Sequence, residues 1–213
     1  MASGSVECLR FKRQGKPYPV FVVAAEGGGI YAAVHSALAL TRLHDLCPKA
    51  AEHIFAISAV SGGSLGAAVY SALMRSRYAS DDQRKKVPIL CDVRALSDPK
   101  TMRASTMFPD GLERRARALL SNDFLSPLAR ATLFADFFQN FLPFPVGYLD
   151  RARALEDSFA TAWSNGGSDP DAFREDFRKM WDPAKLAPAL VLNATIVSTG
   201  ERMVISHSDR RPI

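Results

Sequence analysis

The sequence predicts an α/β fold with a mostly parallel sheet, and three observations support this prediction. A short apolar run at residues 20–25 is followed by a glycine-rich turn and then by apolar residues at helical spacing. The same order of apolar run, tight turn and helical pattern recurs from Ile54 onward. A further apolar run occupies residues 189–197. Because two strands joined by a helix normally form a crossover between parallel neighbours, helices should pack against such a sheet.

The first unit is a strand, a turn and a helix. The β-branched residues within 20–25 predict a fully buried parallel strand. The helix is predicted at residues 30–46, where apolar side chains recur every three or four positions. The turn between them is called the glycine triplet and consists of Gly27, Gly28 and Gly29.

The second unit repeats this order, with a strand at Ile54–Val60, a tight turn at residues 61–64 and a helix at 65–74 that is rich in small side chains. Beyond it we expect a basic helix at 111–120 and a short helix at 172–180. The apolar run at 189–197 should form a strand, with Arg202–Ser206 as its hairpin partner after a turn at Thr199 and Gly200. A further strand is predicted at 89–93.

Composition limits the classes of protein to which the chain can belong. Its 213 residues, 47% hydrophobic and 23% charged, predict a globular protein with its own core. The net charge of +5 is spread along the chain, with residues 1–17 as a basic arm, and it is compatible with peripheral contact with an anionic membrane. No run approaches the roughly 18 apolar residues that a membrane span needs. A helix of clustered Arg and Lys with interleaved aromatics is absent, which argues against nucleic-acid binding.

The cysteines bear on the cellular compartment. Cys8, Cys47 and Cys91 lie far apart, and an odd number cannot close a disulfide framework. They also lack the spacing of metal ligands, so we expect no metal site. The sequence therefore favours a reducing, cytoplasmic compartment.

The glycine triplet could belong to a dinucleotide-binding site. Gly27, Gly29 and Ala32 satisfy the pattern G-x-G-x-x-A between a strand and a helix. That site also needs an acidic residue at the end of the second strand, to bind the ribose hydroxyls. Here the second strand runs into Ser61 and Gly62 instead. The dinucleotide interpretation is therefore disfavoured.

The two turns together predict a serine hydrolase. Such an enzyme needs a strained turn that exposes a serine oxygen, and backbone N–H donors directed at the developing oxyanion. Ser61 follows a buried strand and precedes a helix, and the two glycines after it permit a tight turn. The neighbouring glycine triplet can offer unobstructed N–H groups, and so can Gly62. We therefore predict Ser61 as the nucleophile, with these four glycines forming the oxyanion hole.

Ser64 is the competing candidate, because the literal pattern G-x-S-x-G matches residues 62–66 and is centred on Ser64. Counted from the end of the strand, however, Ser64 falls inside the first helical turn, where serine is usually a cap or a packing residue. Ser61 occupies the sharp turn between the strand and the helix, which is called the nucleophile elbow in such hydrolases. Ser61 is therefore preferred as the nucleophile.

Two segments resemble the patatin-like phospholipases and the related cytosolic phospholipases. They are Ala25-Glu-Gly-Gly-Gly-Ile-Tyr31 and Val60-Ser-Gly-Gly-Ser-Leu-Gly66. Asn193-Ala-Thr195 followed by Gly200 is similar to a late strand and turn of that domain, and residues 149–156 resemble a segment of its bacterial members. The resemblance covers most of residues 18–206. It implies a three-layer sandwich with a mostly parallel central sheet, Ser61 as the nucleophile and no cofactor.

The chain departs from that family at the general base. The family uses a serine–aspartate dyad whose aspartate precedes a glycine, beyond the Asn-Ala-Thr strand. The one Asp-Gly pair here, Asp110-Gly111, comes before that strand and follows Pro109 in a turn context, so Asp110 is interpreted as a turn residue. We therefore expect residues 18–213 to form a hydrolase domain truncated at its C-terminus, with the base beyond Ile213.

A histidine base is the alternative. An ordinary α/β-hydrolase orders its triad as Ser, acid, His. His207 is the late histidine, and the hairpin before it places it near a strand end. No acid at a strand end can be identified between Ser61 and His207, so this triad is incomplete.

The window 124–159 holds seven of the thirteen phenylalanines. Four of them follow helical spacing: Phe134, Phe137, Phe138 and Phe141. Such stripes are usually buried, which favours a packing role within a helical insertion at residues 111–160. The other interpretation is a cap whose apolar side chains bind acyl chains of the substrate.

Taken together, the residues and the resemblance predict a lipid acyl hydrolase that cleaves a phospholipid or lysophospholipid ester. A catalytically incomplete lipid-binding or interaction domain remains open, because no base is identified.

Overall fold

A computed structural model of the chain describes residues 14–15, 17–78, 111–135, 141–142, 144, 151–165, 173–181 and 186–207. The chain divides into two compact units. The first comprises Met1–Arg117 and Asp176–Ile213, and the second Ala118–Glu175. The strand predicted at 89–93 lies outside the described residues.

Six α-helices and four strands account for most of the described residues. The strands are β1 (Phe21–Ala25), β2 (Ile54–Val60), β3 (Ala189–Thr195) and β4 (Arg202–Ser206). The α-helices are α1 (Gly29–Leu46), α2 (Pro48–Ala51), α3 (Gly62–Arg77), α4 (Leu112–Leu120), α5 (Leu125–Arg130) and α6 (Arg151–Asn165). None of these helices is both long enough and apolar enough to span a membrane.

The four strands form one open sheet in the order β1-β2-β3-β4, which confirms the α/β class. β1, β2 and β3 are parallel, and β4 pairs antiparallel with β3 as the predicted hairpin. Ala25 is paired with Ala59, and Val60 with Asn193. The carboxyl ends of the three parallel strands therefore lie at the same edge of the sheet.

β1 is less buried than its sequence predicts. Phe21 and Val22 are 49% and 66% exposed, and within this strand only Ala25 is fully buried. Two features agree with this exposure: β1 is the first strand in the order of the four described strands, and α3 packs on the sheet. A continuous apolar run indicates a strand but does not show whether both of its faces are covered.

Small residues bring α1 and α3 into close contact. Ala33 and Ala37 of α1 are fully buried. A Cβ atom at Gly66 of α3 would overlap Ser36 Oγ and the carbonyl oxygen of Ala33. The small residues of α1 and α3 thus allow these two helices to pack backbone against backbone.

Two predictions in the first unit are corrected. The helix expected at 172–180 is reduced, within the described residues, to a 3₁₀ turn at Phe177–Lys179, where the Asp176 side chain accepts a hydrogen bond from the N–H of Arg178. That local bond competes with a longer helix.

Cys47 is disulfide-bonded. The expectation that an odd number of cysteines leaves no disulfide is therefore wrong, because three cysteines still allow one pair.

In the second unit, aromatic side chains pack around α6. The rings of Phe124 and Phe159 stack with centroids 4.2 Å apart, and Trp163 meets Phe173 edge to face at 5.0 Å. The predicted stripe is divided: Phe134 and Phe141 are 61% and 73% exposed, whereas Phe137 and Phe138 lie outside the described residues. The packing role and the acyl-binding role of the stripe both stay predictions.

His44, near the end of α1, is a buried ionisable group. Its Nε2 lies 2.7 Å from Tyr78 Oη, and its side chain is buried. Burial, with a smaller contribution from Arg77, lowers the pKa of His44 from 6.5 to about 4. The folded protein therefore keeps this imidazole neutral at a pH where the unfolded chain would protonate it.

This shift predicts a loss of stability in mild acid. Between pH 6.5 and about 4 the unfolded state binds more protons at His44, so the free energy of unfolding falls as the pH falls, by about 3 kcal/mol over the whole window. Urea unfolding of the wild type and of His44→Gln at pH 7 and pH 5 measures this contribution. His35→Gln, which removes an exposed histidine of the same helix, is the control; equal pH dependence in the wild type and His44→Gln would contradict the prediction.

Candidate functional site

The glycine triplet and Ser61 are neighbours at the carboxyl edge of the sheet. The triplet follows β1 and Ser61 follows β2, and these strands are paired up to Ala25 and Ala59. A Cβ atom on Gly27 would lie 3.2 Å from Ser61 Cβ and 3.8 Å from Ser61 Oγ. Ser61 itself is exposed. The structure thus brings together the residues that the sequence places about thirty positions apart.

Ser61 has a backbone conformation that residues other than glycine rarely adopt. Its φ is 51° and its ψ is −126°, and it is the one non-glycine residue with positive φ among the residues that the structure describes. Such a conformation costs roughly 1–3 kcal/mol and persists only where the surrounding structure holds it. The N–H of Ser64 donates to the carbonyl oxygen of Ser61 at 2.9 Å, which joins the strained residue to the first turn of α3.

Gly62 and Gly63, which follow Ser61, pack directly against the turn between β1 and α1. A Cβ atom at Gly62 would overlap the carbonyl oxygen of Gly29. At Gly63 it would lie 2.5 Å from the carbonyl oxygens of both Ala25 and Glu26. No side chain fits at either position without movement of the backbone. The requirement for glycine here is therefore close contact between two turns.

Each of the two turns leads directly into the N-terminus of a helix, which favours the binding of negatively charged groups. α1 begins at Gly29 with Gly28 as its N-cap, and α3 begins at Gly62 directly after Ser61. The first N–H groups of a helix have no acceptor within that helix, and the helix dipole places partial positive charge there. The two N-termini meet beside Ser61, so the site is suited to stabilising negative charge on an oxygen atom.

Ser64 lies inside the helix, as predicted from its distance to the end of the strand. It belongs to the first turn of α3, and Gly66 of the literal motif serves the contact with α1. The pattern centred on Ser64 is accounted for by helix packing, whereas Ser61 alone has the strained turn conformation.

Asn193 lies beside the end of β2, close to Ser61. The sequence pattern identified this residue only as part of a strand. Its Nδ2 lies 3.1 Å from both Ser58 Oγ and the carbonyl oxygen of Ala59, and 3.3 Å from the carbonyl oxygen of Val191. Its Oδ1 accepts from Arg202. The signal available in the sequence was a single amide within the apolar run that forms β3.

His207 is distant from Ser61 along the sheet. Its Nδ1 accepts a hydrogen bond from the N–H of Leu190 at 3.1 Å, and its ring stacks on Phe177 at 4.0 Å. Leu190 lies three residues before Asn193, and Asn193 is paired with Val60 next to Ser61. His207 is therefore about 10 Å or more, measured along β3, from the carboxyl edge of the sheet where Ser61 lies, which we call the serine edge. The Ser-His-Asp alternative is therefore wrong for this histidine.

Within the described part of the chain, no carboxylate or imidazole hydrogen-bonds to Ser61 Oγ. Asp110 lies outside that part. The same residues contain no group of three or more His, Cys, Asp or Glu side chains placed to hold a metal ion. The predicted nucleophile Ser61 and the predicted oxyanion donors thus lie within the described residues, whereas no candidate base is found there.

The contact between the turns predicts how glycine variants behave. Gly62→Ala should lower the free energy of unfolding by about 3 kcal/mol or more, because the added methyl group meets backbone. Gly200→Ala is the matched control: its φ is +72°, nothing lies within 4 Å of the added Cβ, and its cost should be about 1 kcal/mol. Urea unfolding compares the two, and equal losses would refute the contact.

Comparison with known proteins does not assign the chain to a family. No family model, curated protein or solved structure matches it. The resemblance to patatin-like phospholipases therefore depends on the sequence segments given above.

Proposed function

We propose that the chain is a serine lipid acyl hydrolase of the patatin-like type, with Ser61 as its nucleophile. The observation that carries this proposal is the strained, exposed Ser61 at the junction of β2 and α3, in contact with the glycine triplet. The three-layer sandwich of that family is part of the same proposal. The parallel sheet and the two crossover helices are compatible with it.

The proposed chemistry is acyl transfer in two steps. Ser61 Oγ attacks the ester carbonyl carbon and gives its proton to a base, while N–H groups of the glycine triplet and Gly62 stabilise the oxyanion. The C–O bond to the alcohol then breaks, and the alcohol leaves with a proton from the same base. Water attacks the resulting acyl-enzyme, which releases the fatty acid and restores Ser61. By the family resemblance the base is an aspartate that precedes a glycine.

The proposed substrate is a phospholipid or lysophospholipid. Phe134 and Phe141 of the second unit are 61% and 73% exposed. We propose, as the sequence pattern suggests, that Phe134, Phe137, Phe138 and Phe141 contact lipid acyl chains. Peripheral contact with a membrane is part of the same proposal. The cytoplasmic compartment favoured by the sequence loses its argument, because Cys47 is disulfide-bonded.

A second candidate function is lipid binding without hydrolysis. The observation in its favour is that no described base contacts Ser61 Oγ. In that case the oxyanion site would still bind a carboxylate or phosphate oxygen, but Ser61 would not be acylated.

An active-site fluorophosphonate probe tests the proposal. We expect the folded wild type to be labelled, with loss of labelling in Ser61→Ala and its retention in Ser64→Ala, because the elbow oxygen is the reactive one. Release of fatty acid from a lysophospholipid should be lost in the same variant.

Three results would contradict it. A folded wild type that resists labelling favours the lipid-binding function, and labelling that survives Ser61→Ala excludes Ser61 as the nucleophile. Labelling lost only in Ser64→Ala would transfer the role to Ser64. Circular dichroism confirms that each variant is folded.

A further inference from the structure

We infer that Asn193 is a positioning residue for Ser61: its side-chain amide holds the last residues of β2 in place so that the strained turn is maintained. This inference rests on the proposed function, since it concerns the reactivity of Ser61. It adds a residue on a different strand, more than a hundred positions away in sequence, to the machinery of the site.

The hydrogen bonds of Asn193 fix the orientation of its amide. A guanidinium group can only donate, so the atom facing Arg202 must be the carbonyl oxygen Oδ1. A backbone carbonyl can only accept, so the atom facing Ala59 must be the NH₂ group. Both sides therefore require the same orientation, and an aspartate could not satisfy both.

The contact with Ala59 lies two residues before Ser61. On its other side Ser61 is held by the Ser64 N–H and by the packing of Gly62 and Gly63. A residue with strained φ and ψ stays in that state only if both flanks are held. Asn193 supplies a side-chain restraint on the strand flank, in addition to the parallel pairing of β2 with β3.

Arg202 holds Asn193 in turn. It opens β4, where it pairs with Thr195, and its Nη2 donates to Asn193 Oδ1. The predicted hairpin therefore places a donor at the edge that carries Ser61. A lysine at this position can still donate to the amide oxygen, whereas an alanine cannot.

The test compares fluorophosphonate labelling kinetics of Asn193→Asp with those of the wild type. Asn193→Asp preserves shape but replaces the donor facing Ala59 with an oxygen, so we expect the maximal labelling rate to fall on the order of 10- to 100-fold. The probe concentration for half-maximal rate should change little, because the oxyanion donors are intact. Arg202→Ala should slow labelling less, and Arg202→Lys should restore most of the rate.

A second readout does not require activity. The amide N–H of Ser64 bonds to the carbonyl of Ser61, so its hydrogen exchange reports on the turn itself. Exchange at this amide should be faster in Asn193→Asp than in the wild type. If Asn193→Asp fails to fold, Arg202→Ala and Arg202→Lys still decide the question.

Asn122→Ala is the matched control. The Asn122 amide also bonds two backbone carbonyls, of Ala118 and Leu119 at 3.1 and 2.8 Å, but it lies in the second unit. This variant should lower the melting temperature without slowing labelling.

The outcomes separate the two proposals. A wild type that labels at Ser61, together with Asn193→Asp at the wild-type rate, overturns the positioning role alone. Equal slowing in Asn122→Ala and Asn193→Asp overturns it too, because general destabilisation would then suffice. A wild type that does not label at Ser61 overturns the proposed function and this inference together.

Discussion

The candidate site depends on one steric constraint, the contact of Gly62 with the carbonyl of Gly29. Any Cβ atom at Gly62 would overlap that oxygen, and one at Gly63 would press on the carbonyls of Ala25 and Glu26. Because these backbones touch, the N-termini of α1 and α3 come together at one edge of the sheet. The position of Ser61 beside the glycine triplet follows from this contact.

Strain and charge act together at that edge. Ser61 has a positive φ, which turns the chain sharply from β2 into α3 and leaves its side chain exposed. Two helix N-termini direct partial positive charge to the same place, where the proposed acyl transfer would develop an oxyanion. Pairing with β1 and β3, and the amide of Asn193, hold the strand that leads into the turn.

Much of the fold could be predicted because its signals are local. The strand Ile54–Val60 was predicted at its observed bounds, and the helix of residues 30–46 to within one residue, from apolar patterns alone. The elbow at Ser61 followed from a strand, two glycines and a helix in order. The 3₁₀ turn near Asp176 was missed because one side-chain hydrogen bond outweighed a weak helical pattern. The exposure of β1 was missed because burial depends on the elements that cover a strand.

The sequence by itself determined the two strand–turn–helix units, the positions of the glycines and the place of Ser61 in the turn between β2 and α3, since each depends on neighbours within a few residues. Only the tertiary structure decided that Asn193 and Arg202 belong to the serine edge and that His207 does not. Strand order and register set those relations: a parallel β3 brings Asn193 beside Val60, and an antiparallel β4 carries its last residues away from Ser61. Distances across a sheet depend on pairing between remote segments, which no local pattern encodes.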